Sequence, residues 1–274
     1  MKILVGILHT IENEFQACLK AIHEQTQPPF DIFVISNRPN KEAHDELYKT
    51  FMDRAVEVDL FIKIDADMVL TRATFFAEII EHFIQRPDLG HLTIAVHDWM
   101  TDRSVMGLHV FRSNHRWIIG RESYFVDTLD TTKDAEKDRE NLAPAAIHCG
   151  DPSVFQAFHF GLHKAVKFAQ ITREAIDYSQ RETHWRHFKS LDRHSQRNRD
   201  RRLALARAGF IHALANRFDS RHVDYSFAES HAAFSQYKEL DSGQIDAKLR
   251  AFGPISWKFL PFRLRRHAAN QMIV

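Results

Sequence analysis

Residues 60–70 read LFIKIDADMVL, and the fold follows from how this stretch is taken. Leu60, Phe61, Ile62 and Ile64 predict a strand buried on both faces, because the apolar run is too short for an ordinary helix and rich in β-branched residues. Two carboxylates, Asp65 and Asp67, stand at its carboxyl end with only the small Ala66 between them. Open α/β sheets take their ligands at that edge. Like charges held so close are costly unless a cation lies between them, so the pair predicts a divalent-metal site. Aspartates also favour turns through local hydrogen bonds, and that reading needs no metal.

The flanking sequence supplies the sheet. Residues 3–8 (ILVGIL) predict a first strand, and residues 11–25 an amphipathic helix with Thr10 as N-cap and Phe15, Cys18, Leu19 and Ile22 on one face. Residues 32–35 predict a second strand, residues 41–52 a helix, and the 60–70 stretch a third strand. Strand, helix, strand, helix, strand with short connections implies a parallel sheet. Residues 74–85 predict a further helix burying Phe75, Phe76, Ile79, Ile80 and Phe83, and residues 91–96 and 105–111 two more strands. Residues 127–144 are polar and predict a surface connection. Asp151-Pro152 predicts a helix start, with Asp as N-cap and Pro as first helical residue, and Val154, Phe155, Phe158 and Leu162 on its buried face.

Asp-x-Asp after a buried strand, with this βαβ frame before it, resembles the DxD motif of GT-A fold glycosyltransferases of the family-2 type. The resemblance spans roughly residues 3–165. It implies an α/β fold, a mainly parallel sheet flanked by helices, and a metal-dependent transfer of a sugar from a nucleotide-sugar donor to an acceptor hydroxyl. Asp65, Asp67 and His148 would hold Mn²⁺ or Mg²⁺ against the diphosphate. Thr10, Asn13, Glu14, Asn37, Arg38, Lys63 and Asp65 would face the nucleotide, although relatives commonly carry acids where Asn37 and Arg38 stand. Asp98, Trp99 and His109 fall on the acceptor side. Asp151 occupies the place of the catalytic base, which would make the reaction inverting. The usual pair there is Glu-Asp, and here Cys149-Gly150 precedes a single acid. The helix dipole alone also accounts for acids in a first turn. Two alternatives are a non-catalytic sugar-nucleotide-binding protein and a haloacid-dehalogenase-type phosphatase, whose nucleophile loop DADMV also fits. That loop normally follows the first strand of its domain, and no acid follows Asp151 until Glu174.

Composition bounds the rest. With 274 residues, 44% of them hydrophobic and 22 of them Phe, the chain can bury a large core, and its composition gives no reason to expect disorder. Residues 1–150 hold 16 Lys and Arg against 24 Asp and Glu, a balance of −8, while residues 151–274 carry +9. The division predicts a catalytic domain over residues 1–175 and a basic helical extension over 176–274. No nucleic-acid motif accompanies the basic stretch at 181–202, so nucleic acid is not an expected partner. Aromatic and cationic residues alternate from Trp257 to Arg266, a mixture suited to anionic lipid head groups, and the expected acceptor is a glycan or lipid-linked glycan. Cys18 and Cys149 are the two cysteines, too few for a disulfide framework. With no signal-like or membrane-spanning run, the expected location is the cytoplasm, with peripheral contact at the inner face of the membrane.

Overall fold

The computed structural model describes residues 1–117, 135–139, 141–169, 178–219 and 224–252. The aromatic and basic segment 257–266 lies outside them, as do residues 127–134. The chain divides into two compact units, Met1–Gln156 and Ala157–Val274.

The first unit is a mixed α/β sheet with helices on both faces. Its elements are β1 (Ile3–His9), α1 (Phe15–His23), β2 (Asp31–Ser36), α2 (Asn40–Asp53), β3 (Leu60–Asp65), β4 (Met68–Leu70), α3 (Phe75–Gln85), β5 (His91–Asp98), β6 (Arg103–Arg112), β7 (Ala135–Asp138) and β8 (Ala146–His148). The strand order is β2-β1-β3-β6-β5-β8-β4, with β7 also paired to β5. β1 runs parallel to β2 and β3, and β5 parallel to β7 and β8. β6 is antiparallel to both of its neighbours, and β4 is antiparallel to β8.

Strand alternation sends the residues of β3 to two different cores, as the sequence predicted. Leu60, Ile62 and Ile64 pack with Cys18 and Ile22 of α1 and Phe75, Phe76, Ile79 and Phe83 of α3. Phe61 faces the other side, with Leu47, Tyr48 and Phe51 of α2 and with Trp117; its ring stacks on Phe51 at 4.6 Å. α2 lies so close to β1 that a Cβ on Gly6 would stand 2.5 Å from Leu47 Cδ1.

Four local expectations are corrected. α1 starts at Phe15 rather than residue 11, with Glu14 rather than Thr10 preceding it and no side-chain cap. The N–H of Thr10 goes to Glu12 Oε2 at 2.6 Å, and that of Asn13 to Gln156 Oε1 at 3.1 Å, so side chains hold residues 10–13 out of the helix. The helix after Asp151 starts at Val154, not Pro152. Ser153 Oγ accepts the Gln156 N–H at 3.2 Å while Gln156 Oε1 accepts the Ser153 N–H at 3.3 Å, a reciprocal capping box that leaves Asp151 outside the cap. Val154 is exposed rather than buried. The polar 127–144 stretch contributes β7, which pairs in parallel with residues 91–94.

The second unit holds helices. α4 (Val154–Ala169) enters it, followed by α5 (Tyr178–Asn198), α6 (Arg201–Ala215), α7 (Ala228–Ser235) and α8 (Ser242–Arg250). α4 and α6 cross backbone to backbone: a Cβ on Gly161 would stand 1.7 Å from the Ala206 carbonyl oxygen, and one on Gly209 1.9 Å from that of Phe158. Only glycine fits such a crossing. His159 of α4 is buried and stacks on Tyr225 at 4.0 Å. Among the described residues, no helix is long and apolar enough to cross a membrane.

Candidate metal centre at the carboxyl edge of the sheet

Antiparallel pairing builds the site. β4 meets β8 with Met68 opposite His148 and Val69 opposite Ile147. The same register carries one step further to set Asp67 opposite Cys149, and the Cys149 N–H donates to the Asp67 carbonyl at 2.9 Å. β5 runs alongside β8 with Asp98 beside His148. The acid just past β3, the histidine ending β8 and the acid ending β5 therefore converge, although 82 positions separate Asp67 from Cys149.

Three donor atoms close on one another. Asp67 Oδ2 lies 3.3 Å from His148 Nε2 and 3.0 Å from Cys149 Sγ, and the sulfur lies 3.6 Å from His148 Nε2. Among the described residues Asp67, His148 and Cys149 form a group able to hold a metal ion. Behind it, His148 Nδ1 faces Asp98 Oδ1 at 2.8 Å, and Asp98 Oδ2 accepts the Thr101 hydroxyl. An ionised carboxylate can only accept, so Nδ1 carries a proton and Nε2 is turned toward Asp67 and Cys149. A carboxylate behind a metal-binding imidazole is the arrangement that fixes ring and tautomer. The residues present therefore fit a divalent cation.

Charge at this edge is predominantly negative. Burial opposes the charge on His148, but Asp67 above all, with Cys149 and Asp98, holds its pKa well above the usual imidazole value. Burial and the Asp67 carboxylate together push the Cys149 thiol well up. Glu12 is raised to about 7 by burial, with the Asp67 and Asp65 charges adding to the effect against its backbone hydrogen bonds. Burial raises Glu14 too, and Asp67 adds to it while the Gln156 hydrogen bond works against it. Cys18, beneath the acids on α1, is pushed to about 12 by burial and the same two aspartates.

The remaining sequence-expected residues fall in distinct places. Asp65 is outside the donor triad, its Oδ1 paired at 2.7 Å with Nζ of the buried Lys63. Asn13 Nδ2 donates to the Asp151 carbonyl at 2.8 Å and to Asp151 Oδ2 at 3.3 Å, and Glu14 Oε1 accepts the Asp151 N–H at 3.0 Å. Glu14 Oε2 takes Gln156 Nε2 at 2.9 Å, so the loop after β1 and the segment before α4 are clasped together. Thr10 is half-buried at the start of that loop. Asn37, with φ 57°, donates its N–H to His9 at the β2 edge, and Arg38 pairs with Glu46 of α2. Trp99 is half-buried, its N–H on the His148 carbonyl. Asp98 is buried behind His148 rather than open to the crevice. His109 is opposite Lys63 in β6, its Nδ1 3.1 Å from His91 Nε2.

Glu12 and Cys149 were not assigned by the sequence. Glu12 shares its loop with three residues that were, and an acid just past a strand was its signal. Cys149 stood out as a departure from the family pattern.

No protein-family model matches the chain and no curated protein matches it in sequence. Similar solved structures include A197 from STIV, 10% identical with a TM-score of 0.36 over 47% of this chain and 74% of that one. CMP:2-keto-3-deoxy-manno-octonic acid synthetase complexed with CTP is 11% identical with a TM-score of 0.28, over 42% of this chain and 75% of its own. S. aureus TarS is 11% identical with a TM-score of 0.35 over 87% of this chain, which spans 54% of TarS. At such TM-scores the likeness adds no argument to the α/β architecture and the site geometry.

Proposed function

We propose that the chain is a metal-dependent glycosyltransferase that moves a sugar from a nucleotide-sugar donor to an acceptor hydroxyl with inversion. The observation that carries this reading is the meeting, at one carboxyl edge, of the acids at the end of β3, the histidine ending β8 and the Asn13–Glu14 clasp on Asp151. In the proposal Asp67 and His148 hold the cation, and Asp65 lies beside it with its charge tempered by Lys63. A bound divalent ion would neutralise the departing diphosphate as a Lewis acid. Thr10, Asn13, Glu14, Asn37 and Arg38 line the nucleotide side, and Trp99 and His109 the acceptor side. Asp98 holds the imidazole in place instead of touching acceptor.

Asp151 is the proposed base. Ser153 supplies the cap of α4, so the Asp151 carboxylate is not spent on the helix, and Asn13 orients it through Oδ2. A carboxylate that takes the acceptor hydroxyl proton as that oxygen attacks the anomeric carbon leaves the product inverted. The catalytic region proposed is 1–175, with 176–274 as a basic extension serving a glycan or lipid-linked acceptor at the inner membrane face.

The test is turnover of a nucleotide-sugar panel by the full chain with Mn²⁺, for the wild type, Asp67→Ala and Asp151→Asn. Asp67→Ala is expected to lose more than the roughly 100-fold typical of a lost outer-shell partner. Asp151→Asn is expected to lose about 10²- to 10⁴-fold at unchanged thermal stability. Nucleoside-diphosphate binding without turnover by the wild type would instead mark a binding protein, and full activity of Asp67→Ala in chelator would end the metal reading.

A further inference from the structure

We infer that Cys149 is a metal ligand, and that Asp67, His148 and Cys149 together form a three-donor oxygen, nitrogen and sulfur site for a thiophilic divalent ion of the Zn²⁺ class. The inference rests on the metal half of the transferase reading and changes its chemistry, since the DxD resemblance implies Mn²⁺ or Mg²⁺ on oxygen and imidazole donors alone.

Three observations carry it. The first is spacing. A tetrahedral ion bonded at about 2.0 Å to oxygen and nitrogen and about 2.3 Å to sulfur sets its donors about 3.3 Å (N to O), about 3.5 Å (N to S) and about 3.5 Å (O to S) apart. The structure has 3.3, 3.6 and 3.0 Å for the same pairs. The short sulfur–oxygen edge is the length of a thiol-to-carboxylate hydrogen bond, whose proton a cation displaces.

The second is orientation. His148 has its Nδ1 fixed by Asp98, itself fixed by Thr101, so Nε2 is delivered to the same point as Asp67 Oδ2 and Cys149 Sγ. Three protein donors leave a fourth tetrahedral position open, the pattern of catalytic rather than structural zinc.

The third is how the thiol is held. Cys149 has a left-handed backbone, φ 51°, that non-glycine residues rarely adopt, and it is 2% exposed. Its N–H is fixed to the Asp67 carbonyl, so the sheet itself sets this residue opposite Asp67. Mg²⁺ demands octahedral oxygen donors and has no use for this sulfur. Thiolate donors select the softer ions. On binding, the proton of the Cys149 thiol and that of His148 Nε2 pass to solvent and both donor atoms turn to the ion.

Cobalt substitution tests it on the full chain, stripped of metal by chelator. One equivalent of Co²⁺ is expected to give the near-ultraviolet sulfur-to-cobalt charge-transfer band in the wild type and in Cys18→Ser, and none in Cys149→Ser. Competition against a chromophoric chelator is expected to show Zn²⁺ bound at least tenfold more weakly by Cys149→Ser, with Mg²⁺ competing poorly in both proteins. Circular dichroism of metal-free Cys149→Ser checks that it folds, and should it not, Cys149→Ala is read in the same assay. A wild-type cobalt protein without the band, or a folded Cys149 variant that binds Zn²⁺ as tightly as the wild type, overturns the inference. Neither readout depends on sugar transfer: a band without turnover sinks the transferase reading alone, and Mn²⁺-supported turnover without a band sinks this inference alone.

Discussion

The α/β unit gathers polar side chains at the carboxyl edge of the sheet and, separately, within its α2 face. The second group is built of rings. His91 stacks on Phe111 at 4.2 Å, His115 packs at a tilt against Trp117 at 4.5 Å, and His91 Nε2 lies 3.1 Å from both His109 Nδ1 and Thr93 Oγ1. Imidazole rings can meet burial by packing against other rings and by sharing hydrogen bonds. The first group is built of carboxylates. Glu12, Glu14, Asp65 and Asp67 shift one another's environment, with Lys63 and His148 as the cations set among them. A carboxylate cannot stack its charge away. The two polar clusters on one sheet therefore differ in chemistry: one is made of aromatic rings and a hydroxyl, and the other gathers carboxylates whose repulsion an added cation would offset.

Glu12 gives the sharpest way to break this contrast. Its pKa in the folded chain, about 7, stands above the ordinary 4.5, so the folded state binds the proton more tightly between those values. Stability contributed by the protonated form is full at low pH and is lost as pH rises from about 4.5 to about 7, then levels. Such a shift corresponds to about 3 kcal/mol, at 1.36 kcal/mol per pH unit. Urea unfolding in chelator at pH 5 and pH 8 should show that fall in the wild type, and Glu12→Gln should remove most of it. Identical slopes in both proteins would mean that the acid cluster carries no such strain.

Asp98 comes next. Asp98→Asn keeps a shape that fits beside His148 and Thr101 but weakens the hold on Nδ1, and should lower metal affinity about 10- to 100-fold. The metal-free protein should change far less in denaturant midpoint. Equal affinity in variant and wild type would separate Asp98 from the metal centre.

The smallest effect belongs to the ring stack. His109→Phe preserves stacking and leaves His91 Nε2 its bond to Thr93, so stability should change by about 1 kcal/mol or less, and metal affinity should not move. Turnover decides what else His109 does: a loss of kcat at unchanged stability would place it on the acceptor, and unchanged kcat would leave it to the stack.

Much of this was determined by sequence alone. The short apolar run of 60–64, the helical spacing of Phe75, Phe76, Ile79 and Phe83, and the acids at the end of a buried strand pointed to an α/β sheet with polar chemistry at its carboxyl edge. Those signals are local, because a strand buried on two faces leaves an apolar run and one-sided burial of a helix leaves a fixed period in the chain. Helix starts were less legible. Thr10 and Asp151 are good cap residues, but the N–H groups of Thr10 and Asn13 went to Glu12 and to the distant Gln156, while Ser153 took the cap of α4. Only the tertiary structure decided the site itself. That Cys149 stands opposite Asp67, that Asp98 supports His148 instead of an acceptor, and that Glu12 joins the acids all depend on the antiparallel β4–β8 register and on β5 lying beside β8. Strand pairing brings together residues that share no period and no spacing along the chain, and so leaves nothing in the sequence to read.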